Sequence, residues 1–190
     1  MAETASNMLE LGTRAPQFTL PNTNPIVPAK RVSLTDFERS RAIVIAFICN
    51  HCPYVVHIKT ALSDFAREYA DKGISVIAIS ANDVVSHPQD GPEQMGSDAV
   101  RYDYIFPYLY DETQEVAKAY DAACTPDIYL FGPDLRLVYR GQFDSSRPGN
   151  QIPVTGEDLR NAADALLAGA AISSKQVPSV GCNIKWRNPD

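Results

Sequence analysis

At 190 residues, with 45% hydrophobic and 21% charged side chains, the chain has the make-up of a soluble globule long enough to bury a core. Its formal net charge of −6 argues against a general nucleic-acid binder, which presents a basic face. The longest strongly apolar run, "AIVIAFIC", is too short to cross a bilayer, and "MAETASNMLELG" has neither the basic start nor the apolar core of a secretory signal. The expectation is a cytoplasmic protein that binds neither nucleic acid nor membrane and keeps its thiols reduced. One domain over 1–190 is expected, with a core at about 9–168 and a tail at 170–190.

Residues 12–35 hold two short extended pieces, "QFTL" and "RVSL", around a proline-rich loop, and predict a hairpin-like N-terminal extension. Residues 42–48 are a near-continuous apolar run of strand length, as in a strand buried on both faces. From Pro53 the period changes: Val55, Ile58, Leu62, Phe65 and Tyr69 form one helical stripe, and Gly73 follows as a C-cap. "ISVIAIS" (74–80) is a second buried strand, completing a β-α-β unit with a right-handed crossover. Residues 84–92 read as a loop, 92–103 as a helix, 108–111 as a short strand and 112–121 as a helix. "DIYLF" and "RLVYR" flank turn chemistry and predict an antiparallel hairpin. The last helix follows Thr155 as N-cap and ends before Gly169. The fold class is α/β, a mixed sheet with helices on both faces.

Cys49 and Cys52, in "FICNHCPYV", stand where a buried strand gives way to a helix. Unpaired N–H groups and the helix dipole there favour a thiolate, the reactive form. His51 between them adds a positive charge or a donor. Two other readings are inert packing and half of a metal site. No second C-x-x-C or H-x₃-H completes a zinc set, so neither metal nor dissociable cofactor is expected.

The strand-C-x-x-C-helix order, with "CTPDIYLF" about seventy residues on, resembles the thioredoxin-fold redoxins. More narrowly, the chain is similar to the thioredoxin-like alkyl hydroperoxide reductase and thiol-specific antioxidant group. The resemblance implies a thioredoxin-like fold with Thr125–Pro126 as a cis-proline pair opposite the cysteines, its backbone open to pair with an extended substrate. It also implies Cys49 as the attacking sulfur and Cys52 as the resolving one. Typical thioredoxins have Trp-Cys-Gly-Pro-Cys, whereas this chain has Ile-Cys-Asn-His-Cys-Pro. Aligned instead with the peroxiredoxin T-x-x-C site, Cys52 takes the peroxidatic place and Cys49 replaces the threonine.

The remaining candidates are auxiliary. Cys124 is either a buried hydrophobe or a thiol near the pair, and Cys182 a resolving thiol on a flexible tail or a packed one. His57 reads as a residue on the active-site side or on a solvated helix face, His87 as a loop residue, Arg147 as a solvated loop residue or a support for an active-site carboxylate or peroxide, and Trp186 as the cover of an apolar patch. Asn82 and Asp83 lie at a strand's carboxyl end, where α/β sites gather. The first functional reading is a thiol-disulfide oxidoreductase using Cys49 and Cys52. It would act on a protein or small-molecule disulfide and be recharged by a dithiol donor. The alternative is a thiol peroxidase that attacks hydroperoxides with Cys52, and a distant third is a metal-binding module of Cys49, Cys52 and a remote histidine.

Overall fold

The computed structural model describes residues 3–187. Strand β1 (Glu3–Ala5) leads into a hairpin of β2 (Thr19–Pro21) and β3 (Arg31–Ser33), with Leu20 opposite Val32. This is the N-terminal extension expected of "QFTL" and "RVSL". Strand β4 (Ala42–Phe47) is buried at all six positions. Helix α1 (Pro53–Ala70) follows, then β5 (Ile74–Ser80), parallel to β4 in the register Val44 to Val76.

Helix α2 (Pro92–Arg101), β6 (Tyr108–Tyr110), the short α3 (Glu115–Ala119) and β7 (Cys124–Thr125) come next. The hairpin of β8 (Asp127–Phe131) and β9 (Leu137–Gly141) is antiparallel, as its turn chemistry requires. Helix α4 (Glu157–Leu167) precedes a last strand, β10 (Val180–Asn183). The central sheet runs β6-β5-β4-β8-β9, and a second, three-stranded sheet runs β1-β10-β7. Among the described residues, no helix is long and apolar enough to cross a membrane.

The alternation of β4 divides the core. Ala42, Val44 and Ala46 face α1, α2 and α4, whereas Ile43, Ile45 and Phe47 face α3 and the N-terminal hairpin. Small residues on the first face let α1 pack close to the sheet. Its stripe of Val55, Ile58, Leu62, Phe65 and Tyr69 is buried there, each side chain worth about 1.5–3 kcal/mol of transfer free energy. This packing pins the N-terminus of α1, and with it Cys52, to the carboxyl end of β4.

Three expectations are corrected. Helix α4 is capped by Gly156 at φ 69, not by Thr155. A side chain there would strike the Phe143 ring, and Asp144 Oδ2 accepts the N–H groups of both Thr155 and Gly156. Helix α3 is shorter than 112–121, because Gln114 is left-handed at φ 64 and Asp111 Oδ2 accepts the Ala117 N–H. Finally, the tail is not a loose appendage. It contains β10, whose far edge is paired by β1.

Candidate active site

Cys52 is the N-cap of α1, with Pro53 at the first helical position, where its missing N–H costs no hydrogen bond. Cys49 lies one turn earlier, in the loop leaving β4. Both sulfurs belong to buried residues, at 1% exposure for Cys49 and 0% for Cys52.

Their polar environments differ. The neighbouring Cys49 thiol, and after it the Cys182 thiol and the amides of Val55 and Cys182, hold the Cys52 pKa well below the ordinary thiol value against the opposing effect of burial. Cys49 is pushed the other way, first by the neighbouring Cys52 sulfur, then by burial and by the Asp90 charge, while the Thr125 hydroxyl opposes this from 3.4 Å. Cys52 sulfur is also 3.1 Å from the Thr125 carbonyl oxygen. Only an S–H can donate there, so that contact belongs to the thiol form of Cys52.

The Thr125–Pro126 peptide bond is cis, as the resemblance implies. Thr125 contacts both sulfurs, but its backbone edge is not open. Cys182 of β10 pairs with it in antiparallel register, which corrects the expectation of a free edge for an extended substrate.

The stretch between the two cysteines is clamped at Asn50. Its N–H donates to Asp90 Oδ1 at 2.8 Å and its amide to the Gln89 carbonyl at 2.9 Å. Its carbonyl accepts from Lys59 Nζ at 2.8 Å, and its Oδ1 from the Tyr108 hydroxyl at 2.9 Å. Asp90 is fully buried and also accepts from Asn82. Lys59 is buried and ion-paired with Asp98. Sequence reasoning missed Asp90 and Lys59. A lysine beside the apolar stripe of α1 is a readable signal, whereas Asp90 sits in loop sequence that carries none.

His51 Nδ1 lies 2.7 Å from Asp90 Oδ2, off the line of a well-formed hydrogen bond, and its ring stacks on His87 at 5.4 Å. The expected donor therefore faces a carboxylate. Cys49 Sγ, His51 Nδ1 and an Asp90 oxygen lie within 4.8 Å of one another, a donor set of the kind zinc or copper takes. It differs from the expected set in using Cys49 alone and a near histidine. A cation there would have to displace the Cys49 proton and compete with the amide groups already on Asp90.

The other candidates are dispersed. Cys124 is buried, its thiol on the carbonyls of Pro126 and Ser179 and its pKa driven up by burial. Cys182 lies in β10 and is 5% exposed; burial and the neighbouring Cys52 sulfur push its pKa up to about 12. His57 contacts Ser146 Oγ at 2.6 Å, in a cleft lined by Pro126 and Arg147. The Arg147 guanidinium is held there by the Asp144 and Ser146 carbonyls and by Gln142. Asn82 and Asp83 anchor the tail at Lys185. Trp186 is 40% exposed, with Lys118 Nζ 5.9 Å from its ring centre.

The model of the AhpC/TSA family matches residues 11–140. An uncharacterized conserved protein from Geobacillus kaustophilus is 53% identical, with 100% of this chain and 99% of that chain covered and a TM-score of 0.95. The thioredoxin domain of a thiol-disulfide oxidoreductase from Bacteroides vulgatus superposes at TM-score 0.63 and 20% identity, covering 84% of this chain and 99% of that one. Peroxidoxin BcpB from Mycobacterium tuberculosis does so at 0.59 and 17%, covering 84% and 95%. No curated protein matches the chain. The order of elements and the superpositions are those of the thioredoxin-like fold.

Proposed function

The chain belongs to the AhpC/TSA family, and from that premise we propose that it is a thiol-disulfide oxidoreductase in which Cys49 and Cys52 cycle between dithiol and disulfide. Cys52 is the attacking sulfur. The observation that carries this assignment is the place of Cys52 at the N-cap of α1, where the helix N-terminus favours a thiolate, whereas burial and the Asp90 charge raise the Cys49 pKa. This reverses the order that thioredoxin resemblance implies.

The Cys52 thiolate attacks one sulfur of a substrate disulfide, and the other leaves with the electron pair and takes a proton. Cys49 then gives up its proton and attacks Cys52. The mixed disulfide breaks, the second substrate thiolate departs, and the Cys49–Cys52 disulfide forms. A dithiol donor reverses the process. Asp90, Lys59 and Tyr108 hold Asn50, and so the loop carrying Cys49, through both states. Because both cysteines are buried, attack requires the covering segment to move.

A second reading is supported by that same burial, since a hydroperoxide is small enough to enter a site closed to a polypeptide. There Cys52 takes one peroxide oxygen as a sulfenic acid, the alcohol leaves, and Cys49 condenses with it, releasing water. The test equilibrates reduced protein with glutathione redox buffers, maps the disulfides, and compares turnover of a small disulfide with that of a hydroperoxide. A reversible Cys49–Cys52 disulfide and faster disulfide turnover are expected. Faster peroxide turnover favours the second reading, and no Cys49–Cys52 disulfide contradicts both.

A further inference from the structure

The dithiol is covered by the chain's own strand. Strand β10 lies antiparallel on β7, with Cys182 opposite Thr125 and Asn183 opposite Cys124. Main-chain pairing to an exposed strand edge is how extended peptides are bound, and here β10 makes that pairing. The fit is close at Gly181, where a Cβ would overlap the Thr125 carbonyl. Only glycine lets the two backbones approach so far.

The strand is held from every side. On the outer edge β1 places Glu3 opposite Cys182 and Thr4 opposite Gly181. Before it, Ser179 donates its hydroxyl to the Gly141 carbonyl at 2.6 Å and accepts the Ser6 N–H at 2.8 Å. After it, Ile184 N–H donates to Ala123 at 3.1 Å, and Lys185 N–H to Asn82 Oδ1 at 2.9 Å. The position of Cys182 is therefore built, not incidental. Cys124 provides the contrast within the same sheet: its thiol rests on carbonyl oxygens, whereas Cys182 stands opposite Thr125, whose carbonyl oxygen is 3.1 Å from the Cys52 sulfur.

Resting on the dithiol reading above, we propose that β10 is an internal substrate strand, which fills the Thr125 edge and presents Cys182 to Cys52 for disulfide exchange within one chain. Starting from the Cys49–Cys52 disulfide, Cys182 loses its proton and its sulfur attacks Cys52. The Cys52–Cys182 bond forms as the Cys49–Cys52 bond breaks. Cys49 leaves with the electron pair and takes up a proton, so one disulfide and one thiol stand on each side and no further oxidant is consumed. The oxidising equivalents thus move from a pair in the core to a pair that includes the edge strand. An extended polypeptide reaches Thr125 only by displacing β10.

The experiment treats reduced full-length wild type, Cys49→Ser, Cys49→Ser/Cys182→Ser and Cys49→Ser/Gly181→Ala with oxidised glutathione, quenches with acid, alkylates and maps disulfides by mass spectrometry. The Cys49→Ser protein is expected to carry an intramolecular Cys52–Cys182 disulfide as its main product. The Cys182→Ser double variant should show only a glutathione adduct or free Cys52. Gly181→Ala, which forces β10 off its neighbour, should lower the Cys52–Cys182 product at least tenfold. If wild type forms the Cys49–Cys52 disulfide but Cys49→Ser accumulates glutathione on Cys52 with no link to Cys182, the strand proposal is overturned and the dithiol reading stands. A Gly181→Ala protein that folds by circular dichroism and still links the two cysteines at the original yield overturns it as well. Should that variant not fold, the Cys49→Ser comparison decides alone.

Discussion

The carboxylate of Asp90 accepts the backbone N–H of Asn50 at 2.8 Å, so a residue forty positions along the chain sets the shape of the loop between the two thiols. The same buried carboxylate raises the pKa of Cys49 by its charge and holds Asn82, which in turn holds the tail at Lys185.

Replacing that carboxylate separates its two effects. Asp90→Ala leaves buried donors unpaired, at a cost of about 1–3 kcal/mol each, and should lower the urea midpoint of the reduced protein markedly. Asp90→Asn keeps an acceptor and removes the charge. It should be milder in urea while bringing Cys49 ionisation down in pH, as followed by thiolate absorbance. Equal urea midpoints for the two variants would contradict this division.

Thr125→Val keeps the β-branched shape and removes the hydroxyl 3.4 Å from Cys49 sulfur. One lost hydrogen bond of this kind costs about 0.5–1.5 kcal/mol. Cys49 should ionise at still higher pH, and Cys52 should be unmoved, because only the Thr125 carbonyl faces it. A comparable shift at Cys52 would show that the hydroxyl is shared between the sulfurs.

Asp127, beside Pro126, has its pKa raised by burial to about 6. The raised value means that the fold favours the protonated form. The stability it contributes is present below the unfolded value of about 3.9 and is lost as pH rises through about 6. Asn cannot ionise. The stability difference, Asp127→Asn minus wild type, should therefore grow in favour of the variant between those two values, by an amount on the order of 3 kcal/mol, and level off above. Chemical denaturation at a series of pH values reads this directly; a flat difference would contradict the assignment.

Much of this was legible in the chain. The two buried strands, the α1 stripe and the hairpin after Pro126 follow from period and turn residues, because those patterns report local burial. Cys49 and Cys52 stood out for the same reason, being placed where a strand ends and a helix starts. Strand β10 was not legible. "VGCN" is short, contains glycine, and becomes a strand only because β7 and β1 lie on either side of it. Asp90 was hidden likewise, since its role arises from contacts with Asn50, His51 and Asn82 that span 8 to 40 residues of sequence. The attacking role proposed for Cys52 differs from the order that the resemblance implies, which gives that role to Cys49.

The most direct test is a pH titration of thiolate absorbance on the reduced protein, on Cys49→Ser and on Cys52→Ser, since absorbance reads ionisation whether or not a sulfur is accessible. The account predicts that wild type holds one thiolate well below the free-thiol value of about 8.5. Cys52→Ser should lose that thiolate, and Cys49→Ser should keep it, because the serine hydroxyl can donate in place of the thiol. A low-pH thiolate that survives Cys52→Ser and disappears in Cys49→Ser would contradict the account and return the attacking role to Cys49.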